Sequence, residues 1–256
     1  MSKKIREMKP YLSVVIPAYN EEINLKRGVL DSVYGYLKNK DFSWEVIVMD
    51  DGSGDGTVSL VEKFAKNHKG FSVRREPHRG KGGTIIAGAE AAGGEYILFA
   101  DMDQSTPMDQ FDKFIPKLKS GYDVAIGSRS GRPGQPLIRK IMAYGFVILR
   151  TIILRLPFKD TQCGFKVYSS KAARKIFKRT QIYRKDQVAK VGSVTAGFDL
   201  EVLYIARKLG LKIAEIPVEW YEYGQRKEVN PITDSIEGFR GLMMVRINAL
   251  QGKYKV

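Results

Sequence analysis

WEVIVMDDGSGDGT, residues 44–57, joins an apolar run to two aspartates, a glycine-rich turn and a threonine where the pattern changes. Trp44 to Met49 has the β-branched character of a buried strand, and Thr57 to Asn67 has the spacing of an amphipathic helix. The same order recurs on either side. Upstream, Leu12 to Ile16 (LSVVI) predicts a strand stopped by Pro17. Asn20 then serves as a helix N-cap, with Glu21 and Glu22 in the first turn. Ile23, Leu30, Val33 and Leu37 form the apolar stripe of that helix. Downstream come a strand over Phe71 to Arg74, a helix over Lys81 to Ala92, and a strand over Tyr96 to Ala100 that closes on Asp101-Met102-Asp103. Met108 to Lys119 reads as a helix and Asp123 to Gly127 as a fifth strand. Strands and helices alternating at this spacing imply an α/β fold, a mainly parallel sheet with helices on both faces. Ligands of such sheets bind beyond the carboxyl ends of the strands. Residues 17–22, 50–56, 101–103 and 128–129 all fall there.

The second half is less regular. Asp160 to Tyr168 is a turn entering a strand, Thr180 to Gly192 a polar loop, Phe198 to Leu209 a helix, and Leu211 to Val218 a strand. Two amphipathic segments stand out. Leu137 to Phe158 places Ile141, Tyr144, Ile148, Ile152 and Leu156 near one face, flanked by Arg139, Lys140, Arg150 and Arg155. Asp234 to Lys255 sets Phe239, Met243, Ile247 and Leu250 beside Arg240, Arg246 and Lys253. Helices of this type lie on anionic membranes; core helices with snorkelling arginines are the alternative. No apolar run reaches the roughly 18–20 residues needed to span a bilayer.

The chain has 256 residues, which suits a single domain. Its 43 Lys and Arg against 28 Asp and Glu give a net charge of +15 and favour a polyanionic partner. No recognition helix or RNA-binding motif accompanies that charge, so nucleic acid is not expected. Cys163 is the only cysteine, which excludes an internal disulfide and a zinc site built on cysteines, and points to reducing conditions without naming a compartment. Residues 1–10 are charged rather than apolar, unlike a secretory signal.

Asp101 and Asp103, one residue apart at a strand end, can both reach one divalent cation. Oxygen ligands suit Mg²⁺ or Mn²⁺, which bridge diphosphate oxygens. Asp51 to Glu62 matches the spacing of an EF-hand calcium loop, but the strand pattern before it replaces the helix such a loop needs. Arg79 to Thr84 fails as a phosphate-binding Walker loop, because Gly82 follows Lys81 where Ser or Thr is required. Arg129, Arg132 and Lys227 are candidates to hold phosphate oxygens. His68 and His78 read as surface residues, and Ser128, Ser193 and Cys163 lack the histidine context of a nucleophile.

SVVIPAYNEE (13–22), DDGSGDGT (50–57), the Asp101/Asp103 pair and GSR (127–129) together resemble the inverting family-2 glycosyltransferases of GT-A (Rossmann-like) fold. RGKGGT (79–84), DTQCGFK (160–166), FDLEVLYIA (198–206) and AEIPVEW (214–220) resemble the dolichyl-phosphate β-glucosyltransferases within that family, with dolichol-phosphate mannose synthases next. Tyr221 and Ser105 stand where mannose synthases place arginine and tend to place glutamine. The resemblance implies a nucleotide-sugar half over about 12–130 and an acceptor and membrane-surface half over about 131–256. It implies Pro17, Tyr19, Glu22 and Asp51 at the nucleotide, Asp101 and Asp103 on metal and diphosphate, and Arg129 and Lys227 at phosphate. The implied donor is UDP-glucose or GDP-mannose. The implied acceptor is a polyprenyl or dolichyl phosphate at the cytoplasmic face of an anionic membrane, reached by amphipathic helices or a partner. A sugar-hydroxyl acceptor would need a general base, for which Asp199 and Glu201 are the candidates. A catalytically silent nucleotide-sugar or membrane-binding protein is the remaining alternative.

Overall fold

The computed structural model describes residues 9–129, 137–182, 195–223 and 231–255. Seven strands form one sheet: β1 Leu12–Ala18, β2 Trp44–Asp50, β3 Phe71–Arg75, β4 Tyr96–Phe99, β5 Val124–Arg129, β6 Lys166–Ser169 and β7 Ile213–Val218. Their order is β3-β2-β1-β4-β6-β5-β7. Strand β6 runs antiparallel to β4 and β5, and every other pair is parallel. The helices are α1 Glu22–Lys26, α2 Val29–Leu37, α3 Thr57–Asn67, α4 Gly80–Ala91, α5 Ile115–Lys119, α6 Leu137–Leu154, α7 Ser170–Phe177, α8 Thr195–Lys208 and α9 Pro231–Leu250.

Side chains of a strand alternate between the sheet's two faces, and here both faces are covered. Val15, Ile47, Met49, Ile97 and Phe99 pack with α4, α7 and α8 on one side. Val14, Ile16, Val46, Val48 and Leu98 pack with α2, α3 and α5 on the other. That double burial is why the strands read as unbroken apolar runs instead of alternating ones.

Several local expectations are corrected. Pro17 does not stop β1: it lies within the strand, opposite Met49. Ala18 O accepts from Asp51 N on the β2 side, so the nitrogen of Pro17 faces the β4 side. Pairing with β4 has already ended there at Val15–Phe99, and no donor is missed. Asn20 is not an N-cap. It sits at φ 54°, with its Oδ1 accepting from Gly54 N and its own N donating to Ser53 Oγ. The helix after it is two helices, broken at Gly28, whose φ of 79° suits glycine. Ile23 is 77% exposed and outside the core stripe. Residues 108–119 divide into a 3₁₀ turn, Met108–Lys113, and α5, with Pro116 tolerated in the first turn of α5. Helix α7 escaped the sequence reading; Ser169 caps it by accepting from Ala172 N.

In α6, Tyr144, Ile148 and Ile152 are exposed, but Arg150 is 2% exposed, and Leu156, just past the end of the helix, is fully buried. Arg150 turns inward and donates to the carbonyl of Leu156 (3.3 Å), the carbonyl of Phe158 and Thr161 Oγ1 (2.9 Å). The side chains of Arg139, Lys140 and Ile141, and residues 183–194 of the polar loop, lie outside the described residues.

Glu201, on α8, is fully buried. It accepts from the backbone N of Gln181 (2.8 Å) and of Ile182 (3.1 Å), and from the hydroxyl of Tyr254 (2.7 Å), so it ties the chain's C-terminal end to the core. Burial pushes its pKa from 4.5 up to about 7, against the opposing pull of those hydrogen bonds. A carboxyl raised in the folded chain favours folding fully below its unfolded pKa, and that contribution fades as pH rises through the folded value. Between pH 4.5 and 8, Glu201→Gln should therefore gain stability relative to the native chain, by about 3 kcal/mol at most. Urea unfolding at both pH values measures this; a difference that stays constant with pH would contradict it.

Candidate functional site

The order of the sheet sets the place of the site. From β1 the chain winds outward through β2 and β3, then returns to the opposite side of β1 as β4. Loops leaving β1 and β4 therefore diverge and leave a crevice at the carboxyl ends. A cavity of about 900 Å³ opens there. Its walls include Pro17 in β1, Tyr19, Glu21, Asn24 and Arg27 after it, Asp51 after β2, Lys81 and Thr84 on α4, Asp101 and Asp103 after β4, and Tyr223 after β7. Two non-glycine residues with left-handed backbone, Asn20 and Gln104, lie beside it (φ 54° and 52°).

Asp51 is buried and held from three sides. The backbone N of Arg79 donates to Oδ1 (2.8 Å), the N of Gly80 to Oδ2 (2.9 Å), and His78 Nδ1 lies 3.0 Å from Oδ2. The His78 ring stacks on Tyr19 with centroids 4.4 Å apart. His78 thus keeps an exposed edge, as a surface residue does, but also braces Asp51 and Tyr19 at the cavity wall. The glycine-rich turn is stitched by its own side chains. Asp50 accepts from Ser53 N, Asp55 accepts from Thr57 N and Oγ1, and Thr57 Oγ1 accepts from Glu21 N. Those carboxylates are engaged with backbone and hydroxyls of the same turn, and the turn follows strand β2, where a calcium loop of the EF-hand type needs a helix. Glu22 points away from the cavity, accepts from Gly56 N (2.9 Å) and pairs with Lys26 (2.5 Å). Its neighbour Glu21 lines the wall instead.

At the β4 end, Lys81 Nζ donates to Asp101 Oδ1 at 2.5 Å. Asp103 Oδ1 accepts from Ser105 N (2.9 Å). Burial works to raise the pKa of Asp101, but Lys81, then Lys166 and Arg129, outweigh it and hold the carboxyl below the usual carboxylate range. Gly164 backs the same group, since a methyl there would collide with the Asp101 carboxylate. Asp199 pairs with Lys166 at 2.6 Å. Among the described residues no third His, Cys, Asp or Glu completes a metal-binding set with the two aspartates. Two carboxylates with oxygen donors suit a hard cation that takes its other ligands from a diphosphate and water.

Arg129 meets Asp160 through Nε (2.6 Å) and Nη2 (3.0 Å), with its guanidinium 5.9 Å from the Trp220 ring centroid. Burial opposes the Arg129 charge, and Asp160 more than restores it, leaving its pKa raised. Asp160 in turn is held below the ordinary range by Arg129 despite burial. The loop carrying Asp160 is fixed by Arg150 from one side and by Glu215, which accepts from Lys159 N and Asp160 N, from the other. Tyr221 N donates to Ser105 O, bringing Tyr223 to the cavity, where Arg27 lies over its ring at 5.3 Å. Arg132 and Lys227 lie outside the described residues. Cys163 is buried, and burial raises its thiol pKa.

The family model described as "Glycosyl transferase family 2" matches residues 13–177. The dolichyl-phosphate beta-glucosyltransferase of Dictyostelium discoideum is 34% identical over 264 residues, covering 96% of this chain and 77% of that protein. The Homo sapiens protein of the same name is 32% identical, covering 96% and 78%. Among solved structures, glucosyl-3-phosphoglycerate synthase from Mycobacterium tuberculosis in complex with UDP aligns with a TM-score of 0.65 at 20% identity, over 93% of this chain and 80% of that one. The same synthase in complex with Mn²⁺, UDP-glucose and phosphoglyceric acid gives 0.63 at 17% identity, with the same coverage. These structures share the GT-A fold with this chain.

The Arg129–Asp160 pair is mostly buried, with side chains 16% and 14% exposed. Removing one partner strands the other, so Arg129→Met and Asp160→Asn should each destabilise by about 2 kcal/mol or more. The double variant should lose less than their sum, by at least about 1 kcal/mol of coupling. Denaturant unfolding of the four proteins reads this, and strict additivity would rule the pair out as a unit.

Proposed function

The chain belongs to glycosyl transferase family 2, and from that membership and the charges of the cavity we propose that it transfers glucose from UDP-glucose to a dolichyl or other polyprenyl phosphate with inversion. It is a hexosyltransferase, with relatives over nearly its whole length named dolichyl-phosphate beta-glucosyltransferase. The observation that carries the reading is the meeting of Asp51, Tyr19, Asp101, Asp103 and Lys81 around one cavity at the switch point of the sheet. UDP is favoured over GDP, and glucose over mannose, by the names of those relatives and by the UDP-bound structures of the same fold.

In this reading the Tyr19–His78 stack and Asp51 form the wall for the base and ribose. Asp101 and Asp103 hold Mg²⁺ or Mn²⁺, which offsets negative charge on the departing diphosphate. An acceptor phosphate oxygen attacks the anomeric carbon from the face opposite the diphosphate. The bond from that carbon to the diphosphate breaks, and its electron pair leaves on UDP. A phosphate monoester is already mostly ionised at neutral pH, its second pKa being roughly 6, so no side chain has to remove a proton. Asp199 fits this: its carboxylate is engaged by Lys166. Arg129, with Arg132 and Lys227 as further candidates, positions the acceptor phosphate. Arg129 keeps its orientation through Asp160.

A lipid acceptor requires approach to a bilayer. Among the described residues no helix is long and apolar enough to cross one. Helices α6 and α9 pack together, and each leaves an apolar row exposed. The rows are Tyr144, Ile148 and Ile152 on α6, and Ile236, Phe239, Ile247 and Leu250 on α9. With the net charge of +15, these rows suit peripheral attachment to the cytoplasmic face of an anionic membrane.

With radiolabelled UDP-glucose and a short polyprenyl phosphate, label should enter the lipid phase only with Mg²⁺ or Mn²⁺ and be lost with EDTA. Asp101→Asn and Asp103→Asn should each lower transfer by about a thousandfold while retaining the native melting transition. Retained transfer in either would remove the metal assignment; GDP-mannose outperforming UDP-glucose would replace the donor. Ile148→Glu with Ile152→Glu should abolish flotation with vesicles containing anionic lipid yet leave UDP binding intact. Unchanged flotation would mean that the α6 row is not the membrane face.

A further inference from the structure

Lys81 was passed over in the sequence because its glycine-rich surroundings fail as a phosphate loop. In the fold it is the second residue of α4, and its side chain reaches across the cavity to Asp101. The contact is not sealed in the core, since the two side chains are 39% and 36% exposed. An ammonium held there at the cavity wall can exchange its carboxylate for another anion without unfolding anything. Asp101 itself has little freedom, because Gly164 closes off the space behind its carboxylate. A cation approaching Asp101 from the cavity must therefore compete with Lys81 for Oδ1.

We propose that Lys81 is an internal competitor for Asp101, an ammonium that a divalent cation displaces only when a nucleoside diphosphate enters with it and offers the lysine a new anion. This deepens the reading of Asp101 and Asp103 as metal ligands and rests on it. Two positive groups cannot share one carboxylate oxygen at little cost. Metal alone must displace Lys81 and receives only two carboxylates in return. Metal with a diphosphate gains phosphate oxygens, and the released ammonium moves onto the same diphosphate. Lys81 is then a positioning residue that makes metal and nucleotide binding cooperative, so that the cation is held chiefly with the donor whose leaving group needs it.

The test is Mn²⁺ binding, read from the EPR signal of the free ion, in the native chain, Lys81→Met and Lys81→Arg, each with and without UDP. The native chain should bind Mn²⁺ at least about tenfold more tightly with UDP than without, given the strength of a cation–cation repulsion at contact distance. Lys81→Met should bind Mn²⁺ alone at least about tenfold more tightly than the native chain and lose most of the UDP effect. Lys81→Arg, which keeps the charge, should follow the native chain. Lys81→Gln replaces Lys81→Met in the comparison if the latter lacks a native melting transition. Lys81→Met binding Mn²⁺ alone no more tightly than the native chain overturns the proposal. No Mn²⁺ binding by the native chain even with UDP overturns the metal reading itself, and this inference with it.

Discussion

Strand β1 is the element on which the rest of the site depends, because it is paired on both sides over its first half and on one side over its second. Leu12 to Val15 are matched to β4, whereas the pairing with β2 continues to Ala18 and Asp50. The three residues beyond Val15 therefore have a firm neighbour on one flank and open space on the other. That space is the crevice. A proline is tolerated at its edge for the same reason, and the chain that leaves β1 can be pinned to the β2 loop through Asn20, Glu21 and Glu22 without crossing the cavity. If β4 were as long as β2, its pairing would cover the floor that Asp101 and Asp103 now occupy.

Placing carboxylates on such a floor is costly unless each has a partner, and the charges are arranged accordingly. Asp101 has Lys81, Asp199 has Lys166, Asp160 has Arg129, and Asp51 has two backbone amides and His78. The pairs differ in accessibility. Lys166 and Asp199 are nearly enclosed, at 5% and 15% exposed, whereas Lys81 and Asp101 face the cavity. The first kind of pair fixes geometry; the second can be rearranged by a ligand. Neighbouring pairs also act on each other, since Lys166 and Arg129 both help to keep Asp101 ionised.

Most of the fold and the centre of the site were legible in the sequence for one reason: strands buried on both faces give unbroken apolar runs, and the polar residues that end them mark the sheet's carboxyl edge. Asp101 and Asp103 were singled out in that way, and Pro17, Tyr19 and Asp51 by the family resemblance; all five line the cavity. What escaped depended on contacts between distant segments. His78 and Lys81 follow β3, whose end carries no acidic cluster, and they matter because α4 begins next to Asp51 and Asp101. Glu21 and Glu22 are adjacent acids whose assignments depend on which one the turn at Gly56 draws away. Arg150 looked like one more charge on an amphipathic helix, since periodicity locates a helical face but not a partner loop folding back upon it.

That inward arginine has a consequence for how the two halves of the chain work together. Helix α6 carries the exposed row proposed to meet the membrane, and on its other side Arg150 holds the carbonyls of Leu156 and Phe158 and the hydroxyl of Thr161. The loop so held presents Asp160 to Arg129, the residue proposed to receive the acceptor phosphate. Every link in that series is a charge-assisted hydrogen bond or a covalent neighbour, so the loop is held from both sides. A lipid phosphate stays at the depth of its membrane. In the proposed reading, the height of Arg129 above the surface met by α6 is set through the loop that Arg150 and Asp160 hold.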